Sequence, residues 1–158
     1  MTGASFEKCE VRRAATNDVA AIRALTRAAY TKWISVIGRE PQPINADYER
    51  TVLEHEIDLL FANHVLAGLI DMAIEPDHLL IVNIAVAPAC QGRGFGRRLL
   101  THAEERARAL GLAETRLYTN KQFSANIALY LHCGYAIDRE ESFMGGVAVF
   151  MSKRMAAE

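Results

Sequence analysis

The sequence contains few cysteines, has a net charge close to zero and lacks a long run of apolar residues. Its three cysteines, Cys9, Cys90 and Cys133, are scattered over 158 residues. Such an odd and widely spaced set argues against a disulfide framework and against a zinc cluster, so we expect free thiols and no bound metal. The formal net charge of −1 at pH 7 gives no electrostatic reason to expect binding to nucleic acid or to an anionic membrane.

Segments that would carry the chain into or across a membrane are also missing from the sequence. No apolar stretch has the length of a transmembrane helix, and residues 1–8 lack the apolar core of a signal peptide. We therefore expect a cytoplasmic protein. No repeat, low-complexity tract or linker divides the chain, and a hydrophobic content of 51% is sufficient for one core. These features predict a single domain over residues 1–158.

A glycine-rich segment lies between an apolar, β-branched run and an amphipathic helix. Glycines at positions 92, 94 and 96 allow backbone N–H groups to approach a ligand closely, and the new helix offers unpaired donors. Arg97 and Arg98 follow in the first helical turn, where positive charge opposes the helix dipole at a cost of roughly 0.3–1 kcal/mol each. A bound polyanion would remove that cost. The segment therefore predicts a phosphate-binding turn.

Two common phosphate-binding loops do not fit this segment. A P-loop requires lysine followed by serine or threonine, which is absent here, and a dinucleotide-binding loop requires a third glycine where Arg97 stands. The spacing that does occur is Q-x-x-G-x-G, formed by Gln91, Gly94 and Gly96 after a strand that ends in Val-x-Pro. This pattern resembles the acyl-CoA loop of the GNAT superfamily of N-acyltransferases.

A second motif follows after a predicted strand at residues 117–120. Residues 124–133 predict a short helix, and Gly134 suits the left-handed position that ends it. Asn126 and Tyr130 are four residues apart and share one face of this helix. The segment, which ends in Gly134-Tyr135, resembles the second GNAT signature. Together the two motifs give a resemblance that is strong over residues 79–135.

The resemblance implies a GNAT-type α/β domain, also classified as α+β. Such a domain has a central mixed, mostly antiparallel sheet of six to seven strands, about four flanking helices and a splayed strand pair that forms the CoA cleft. The hydrophobic patterns agree with this order of elements. They predict helices from 16 or 17 to 29 and at 47–56, 96–110 and 124–133, and strands at 9–14, 59–62, 65–75, 79–86, 117–120, 136–141 and 147–153.

The resemblance also implies direct transfer of an acetyl group from acetyl-CoA, the co-substrate, to a primary amine. The backbone of Ala85 and Val86 would hold the pantetheine arm as an added strand would. Asn126 would hydrogen-bond the pantetheine, and Tyr130 would protonate the departing sulfur, since a phenol with a pKa of about 10 carries its proton at neutral pH. The pyrophosphate would bind at Gln91, Gly92, Arg93, Gly94, Phe95, Gly96 and Arg97, with Arg98 as a further cationic candidate.

The general base is not evident from the sequence. The strand at 79–86 contains no acid, whereas similar bacterial sequences carry glutamate where Val82 and Ala125 stand. Asn83, the one polar residue of that strand, either orients the acceptor or satisfies the backbone at a bulge. Without a strong base, we expect a preference for amines that are partly neutral near pH 7 to 8, such as α-amino groups. The candidates for the base are Asp71, Glu75, His78 and Tyr118.

The acceptor and the oligomeric state are left open by the sequence. The acceptor is a small molecule or a peptide N-terminus, with a free amino acid, a polyamine or another metabolite as alternatives. No dense acidic cluster occurs, which argues against an aminoglycoside-type polycation. A homodimer is compatible with the sequence. The side chains that form either an amine pocket or core are Tyr30, Trp33, Ile37, Tyr48 and the turn at 143–146.

Two other classes of function fit parts of the sequence. The first is a GNAT-shaped module that binds acyl-CoA as a sensor without efficient catalysis, which the missing strand acid allows. The presence of Asn126 and Tyr130 argues against it. The second is a small interaction domain whose glycine turn is structural, and the arginines at the start of the helix argue against that. Binding of acetyl-CoA and release of thiol would separate the three classes.

Overall fold

The computed structural model describes residues 8–156, in which one seven-stranded sheet forms the centre. The order in the sheet is β1-β2-β3-β4-β5-β7-β6; β4 and β5 are parallel, and every other neighbouring pair is antiparallel. This arrangement confirms the predicted mixed, mostly antiparallel sheet. The strands are β1 (Cys9–Arg13), β2 (Glu56–Ala62), β3 (Val65–Ile74), β4 (Leu79–Val86), β5 (Glu114–Asn120), β6 (Ala136–Phe143) and β7 (Gly146–Arg154).

Five helices flank the sheet, one of them a single turn: α1 (Val19–Tyr30), α2 (Ile34–Ile37), α3 (Tyr48–Glu54), α4 (Phe95–Ala109) and α5 (Ser124–His132). Within residues 8–156, no helix has the length and apolar character needed to cross a membrane. The predicted absence of a signal peptide concerns residues 1–8, of which residues 1–7 lie outside the described residues. Gly111 and Gly134 have φ of +73° and +95°, as expected for residues that end helices.

The first helix begins later than the sequence pattern predicts, because residues 16–18 form a tighter 3-10 turn. Asp18 fixes this turn: its carboxylate accepts a bond of 2.8 Å from the backbone N–H of Ala15 and two bonds of 2.9 Å from Arg12. The hydrogen bonds and the positive charge of Arg12 outweigh partial burial and lower the pKa of the carboxyl group of Asp18. The start of α1 therefore depends on the side chain of Arg12 in β1. Local helix propensity does not predict such a contact.

The helices form two layers, one on each face of the sheet. On one face α1 and α3 bury apolar side chains against β2 and β3, including Ile22, Leu25, Ile57 and Leu69. On the other face α4 and α5 bury a second set, including Leu99, Leu100, Ala103 and Tyr130. Both faces of the central strands are thus covered by helices.

Where β3 and β4 pair, β4 contains one residue more than β3. Ile81 and Asn83 pair with adjacent residues of β3, which leaves Val82 as a β-bulge. In a regular strand Ile81, Asn83 and Ala85 would all face the same side of the sheet. Here Ile81 packs in the layer of α4 and α5, whereas Asn83 and Ala85 face the layer of α1 and α3. The bulge therefore reverses the alternation of side chains and places Asn83 directly opposite Asp71 of β3.

Strands β4 and β5 part shortly after they begin to pair. Their parallel register runs from Leu79 with Thr115 to Ile81 with Leu117 and then stops. Beyond that point Val82 and Asn83 face the second half of β5 across a gap, which confirms the predicted splayed strand pair. The gap is where the cavities described next are found.

Candidate active site

Two cavities adjoin the parted strands. The first, called here the loop cavity, has a volume of about 460 Å³ and lies between the glycine loop, the end of α1 and α5. The second, called the inner cavity, has a volume of about 220 Å³ and contains the bulge of β4. Tyr30 lines both of them. The rings of Trp33 and Phe123 stack with centroids 4.8 Å apart; Trp33 lines the loop cavity and Phe123 lines the inner cavity. The two cavities are therefore neighbours that share an aromatic wall.

The glycines of the loop have two different structural roles. Gly92 and Gly94 adopt φ of +78° and +83°, a left-handed conformation that residues with a Cβ rarely adopt, and Gly94 is the residue immediately before α4. Gly96 lies inside α4, where a Cβ would come within 3.0 Å of the Leu129 side chain. The first two glycines thus shape the turn, and the third allows α5 to pack closely against α4.

Most of the residues predicted to bind acyl-CoA line the loop cavity, but two do not. The side chain of Ala85 is buried on the opposite face of the sheet, because the bulge reverses the alternation. Arg93 lies with its guanidinium 5.1 Å from the centre of the Phe95 ring. The predicted residues that do line the cavity are Val86, Gln91, Gly92, Gly94, Phe95, Gly96, Arg97, Asn126 and Tyr130.

Gln91 connects the end of β4 with the end of α1. Its side-chain amide donates to the backbone carbonyl of Val86 at 3.2 Å, and its oxygen accepts from the Nζ of Lys32 at 3.2 Å. Lys32 also lies over the ring of Trp33, 5.3 Å from its centre. The sequence analysis missed this lysine, which adds positive charge to a cavity wall that already contains Arg97.

Tyr130 projects from α5 into the core beside the loop cavity and is only 7% exposed. Its ring centre lies 6.2 Å from that of Tyr135, at an interplanar angle of 60°. Burial, with a smaller contribution from Cys133, raises the pKa of Tyr130 to about 12. The hydroxyl group therefore keeps its proton at neutral pH and is available as a hydrogen-bond donor.

The inner cavity has an apolar wall with few charged groups. Tyr30, Ile37, Tyr48 and Phe143, all named from the sequence as pocket or core residues, line it. Trp33 instead lines the loop cavity. Of the four candidate bases, Asp71 and Tyr118 line the inner cavity, whereas Glu75 and His78 belong to the connection between β3 and β4 and line neither cavity.

Among the residues that the structure describes, Asp71 is the one carboxylate that lines the inner cavity, and it is 2% exposed. Its Oδ1 lies 2.8 Å from Nδ1 of His55, the residue that follows α3. Burial raises the pKa of Asp71 to about 6, and the contact with His55 opposes this rise. The sequence analysis missed His55, because its contact with Asp71 depends on the register of β2 against β3 rather than on local spacing.

Asn83 holds two tyrosines of the inner cavity in place. Its Oδ1 accepts a hydrogen bond of 2.7 Å from the hydroxyl group of Tyr30, which also lies 3.1 Å from the carbonyl of Ile84. Its amide nitrogen lies 3.5 Å from the hydroxyl of Tyr48. Burial, the largest influence, raises the pKa of both tyrosines, so both hydroxyl groups stay neutral. Among residues 8–156, no cluster of three or more metal-binding side chains occurs.

The open sheet, the parted parallel strands and the glycine turn before α4 define a cofactor-binding α/β domain. The sequence profile of the acetyltransferase (GNAT) family matches residues 20–135. The chain belongs to this family.

Similar proteins extend this comparison. The chain is 35% identical over 78 residues to the uncharacterised N-acetyltransferase YvbK of Bacillus subtilis (strain 168), a match that covers 49% of this chain and 50% of the relative. It is 26% identical over 89 residues to the spermidine N(1)-acetyltransferase of Thermoplasma acidophilum, covering 54% and 55%. The chain thus spans about half the length of these curated relatives.

A solved structure agrees with the fold. The PaiA N-acetyltransferase from Thermoplasma acidophilum, crystallised in complex with coenzyme A, superposes with a TM-score of 0.79. The match covers 93% of this chain and 99% of that one at 18% sequence identity. At this level of identity the similarity shows the shared fold.

Proposed function

We propose that this protein transfers the acetyl group of acetyl-CoA to a primary amine by direct attack of the amine on the thioester. The observation that carries the proposal is the pair of adjoining cavities at the parted strands, one bordered by the glycine turn and the other by a buried carboxylate. Two substrates that must exchange a group need adjacent sites, and here the sites share Tyr30.

The loop cavity suits the cofactor. Its left-handed glycines and the N-terminus of the 15-residue helix α4 present backbone N–H groups to the pyrophosphate. Lys32 and Arg97 supply positive charge on the same wall. Asn126 lines the same cavity, where it would hydrogen-bond the pantetheine. The PaiA structure with coenzyme A supports this assignment, since it has the same fold.

Tyr130 is the proposed general acid. Attack by the amine breaks the carbon–sulfur bond, and the departing sulfur gains negative charge. A neutral phenol beside the sulfur stabilises that charge by donating a hydrogen bond and then the proton. The raised pKa of Tyr130 ensures that the group is protonated over the whole range in which the enzyme is tested.

The proposed activity is tested by measuring free CoA thiol in mixtures of the protein, acetyl-CoA and a panel of primary amines. We expect thiol release that depends on the amine and exceeds the release without amine. Binding of acetyl-CoA without thiol release from any amine would instead indicate an acyl-CoA sensor. Absence of binding would overturn the proposal and leave an interaction domain with a structural glycine turn.

Acetyl-CoA should also stabilise the protein against heat, because it binds only the native state. At a concentration 100 times the dissociation constant, one bound ligand adds about 2.7 kcal/mol to the free energy of unfolding. For a domain of this size that corresponds to a rise in Tm of roughly 5–10 °C. Differential scanning calorimetry with and without acetyl-CoA measures the shift. Free adenosine, which lacks the pyrophosphate, serves as the control and should shift Tm far less.

A further inference from the structure

The walls of the inner cavity define the kind of amine that fits it. They consist mainly of aromatic and aliphatic side chains, such as Tyr30, Ile37, Phe123 and Phe143. The charged residues that line them are one carboxylate, Asp71, and one guanidinium, Arg39. These two charges cancel, so the cavity offers no net negative charge to a molecule with several ammonium groups.

We infer that the inner cavity takes a monoamine with an apolar or aromatic body, and that Asp71, positioned by His55, binds its ammonium group and removes the proton that is released to solvent. This inference rests on the proposed acetyl transfer and names the acceptor and the base of that same site. It differs from what the name of the Thermoplasma acidophilum relative states, which is an enzyme for the polyamine spermidine.

The geometry around Asp71 supports a role in proton transfer. The contact with His55 engages Oδ1, which leaves Oδ2 to bind a ligand in the cavity. Tyr48 in α3 lies close enough to interact electrostatically with this carboxylate, and the residues paired with Asp71 across the sheet are Asn83 of β4 and the apolar Ile57 of β2. A buried carboxylate whose titratable neighbours are one histidine and one neutral tyrosine is suited to an ammonium group, because a buried charge needs a partner.

His55 connects this buried site with solvent. Its side chain is 28% exposed, whereas that of Asp71 is 3% exposed. The imidazole holds one carboxylate oxygen and lies at the surface, where water can accept the proton. His55 is therefore a positioning residue that links the buried base with bulk water.

The proton balance of the reaction assigns one proton to Asp71. An ammonium acceptor loses two protons as it becomes an amide: one ends on the sulfur of CoA, and the other must leave the site. Asp71 accepts the proton that leaves the site, and it does so before the nitrogen attacks. The nitrogen then forms a bond to the carbonyl carbon, the carbon–sulfur bond breaks, and the second proton passes from nitrogen to sulfur with Tyr130 as the donor at sulfur.

The first test is the dependence of kcat/KM on pH for two acceptors of similar shape, 2-phenylethylamine and phenylalanine amide. Their amines differ in pKa by roughly 2 units or more, as lysine-type and α-amino groups do. If the ammonium form binds to ionised Asp71, both profiles should rise with an apparent pKa near 6, the value to which burial raises the pKa of Asp71. A rise that follows the pKa of each acceptor would overturn the inference.

Substitutions of Asp71 and His55 test whether these two residues cause the rise in kcat/KM near pH 6. Asp71→Asn should lower kcat/KM by about 100-fold or more and remove the rise near pH 6, while acetyl-CoA affinity stays unchanged. His55→Ala should move the rise to higher pH, because His55 opposes the increase in the pKa of Asp71. His55→Gln retains an N–H donor and should move it less. If Asp71→Asn fails to fold, the His55 variants still decide the question, since an unmoved rise contradicts the pairing.

The chain offers a control in Asp58, a second buried carboxylate with a histidine partner, which differs from Asp71 because its Oδ1 also accepts a hydrogen bond of 2.6 Å from Nε of Arg13. Asp58 is 5% exposed, and its Oδ2 lies 2.7 Å from Nε2 of His102, but neither residue lines the inner cavity. Asp58→Asn should lower Tm without changing the pH profile. Equal effects of Asp58→Asn and Asp71→Asn on the profile would show that loss of a buried ion pair, and not loss of a base, causes them.

The acceptor class is tested by comparing 2-phenylethylamine with spermidine at concentrations below KM. We expect kcat/KM to favour 2-phenylethylamine by about tenfold or more, since its aromatic ring is buried in the apolar cavity and spermidine has no such ring. Preference for spermidine would overturn the inferred class. If acetyl-CoA binds and neither amine is acetylated, the inferred acceptor class is wrong; if acetyl-CoA does not bind, the proposed acetyl transfer itself fails.

Discussion

Replacing Gly94 with valine should abolish the binding of acetyl-CoA. Gly94 has a φ of +83°, and a β-branched residue there would force the turn into another conformation. The N–H groups that face the pyrophosphate would then lose their alignment. Hydrogen bonds to charged groups contribute about 1.5–3 kcal/mol each, so loss of two of them lowers affinity by roughly 10²- to 10⁴-fold. Isothermal titration calorimetry on the folded variant measures this loss.

Gly111→Val is the matched control for this substitution. Gly111 has a φ of +73°, and at both glycines a Cβ would meet no atom within 4 Å, so the two variants introduce similar backbone strain without a clash. Gly111, however, follows the opposite end of α4. We expect both variants to lose similar stability and only Gly94→Val to lose acetyl-CoA. Unchanged affinity in a folded Gly94→Val protein would show that the loop does not hold the pyrophosphate.

Tyr130→Phe should lower turnover by about 10²- to 10⁴-fold while acetyl-CoA binding stays nearly intact. The substitution removes only the hydroxyl group and leaves the buried ring in the core, so the fold should persist. The interaction lost is one made with the departing sulfur, which exists in the transition state and not in the bound substrate. Single-turnover measurements of acetyl transfer separate this step from product release.

Tyr135→Phe provides the comparison for the Tyr130 variant. Tyr135 is buried next to Tyr130, and its hydroxyl bonds to Thr115 at 2.7 Å, but it does not line the loop cavity. Its replacement should cost about 1 kcal/mol of stability through the lost hydrogen bond and leave turnover unchanged. If Tyr130→Phe retains full turnover with chemistry rate-limiting, Tyr130 is a packing residue like its neighbour.

The sequence predicted more of the residues that line the loop cavity than of the contacts that form the inner cavity. The glycine loop and the pair Asn126 and Tyr130 are local motifs, in which spacing along the chain fixes spacing in the structure. Nine of the predicted residues accordingly line one cavity, as described above. The side chain of Ala85 does not, because its orientation depends on the register of β4 with β3, which no local pattern reveals; the role predicted for Ala85 uses its backbone and stays a prediction.

The acceptor side is assembled by contacts between residues distant in sequence. Asp71 and His55 are 16 positions apart and meet across the start of β2, while Tyr30 and Asn83 are 53 positions apart. Sequence patterns gave Asp71 as one of four equal candidates for the base, because nothing local distinguishes a buried carboxylate from a solvated one. Only the pairing of strands shows that Asp71 and Tyr118 line the cavity, whereas Glu75 and His78 lie in the turn before β4.

The bulge at Val82 has a consequence for how this chain can vary. One extra residue reverses the alternation of side chains along β4. The type of side chain at position 82 and the number of residues between Ile81 and Asn83 therefore affect the site in different ways. The length of the strand decides whether Asn83 meets Tyr30 or is turned towards the apolar layer of α4. Substitutions of Val82 therefore change the cavity wall gradually, whereas deletion of this one residue would turn the following side chains of β4 to the opposite faces of the sheet.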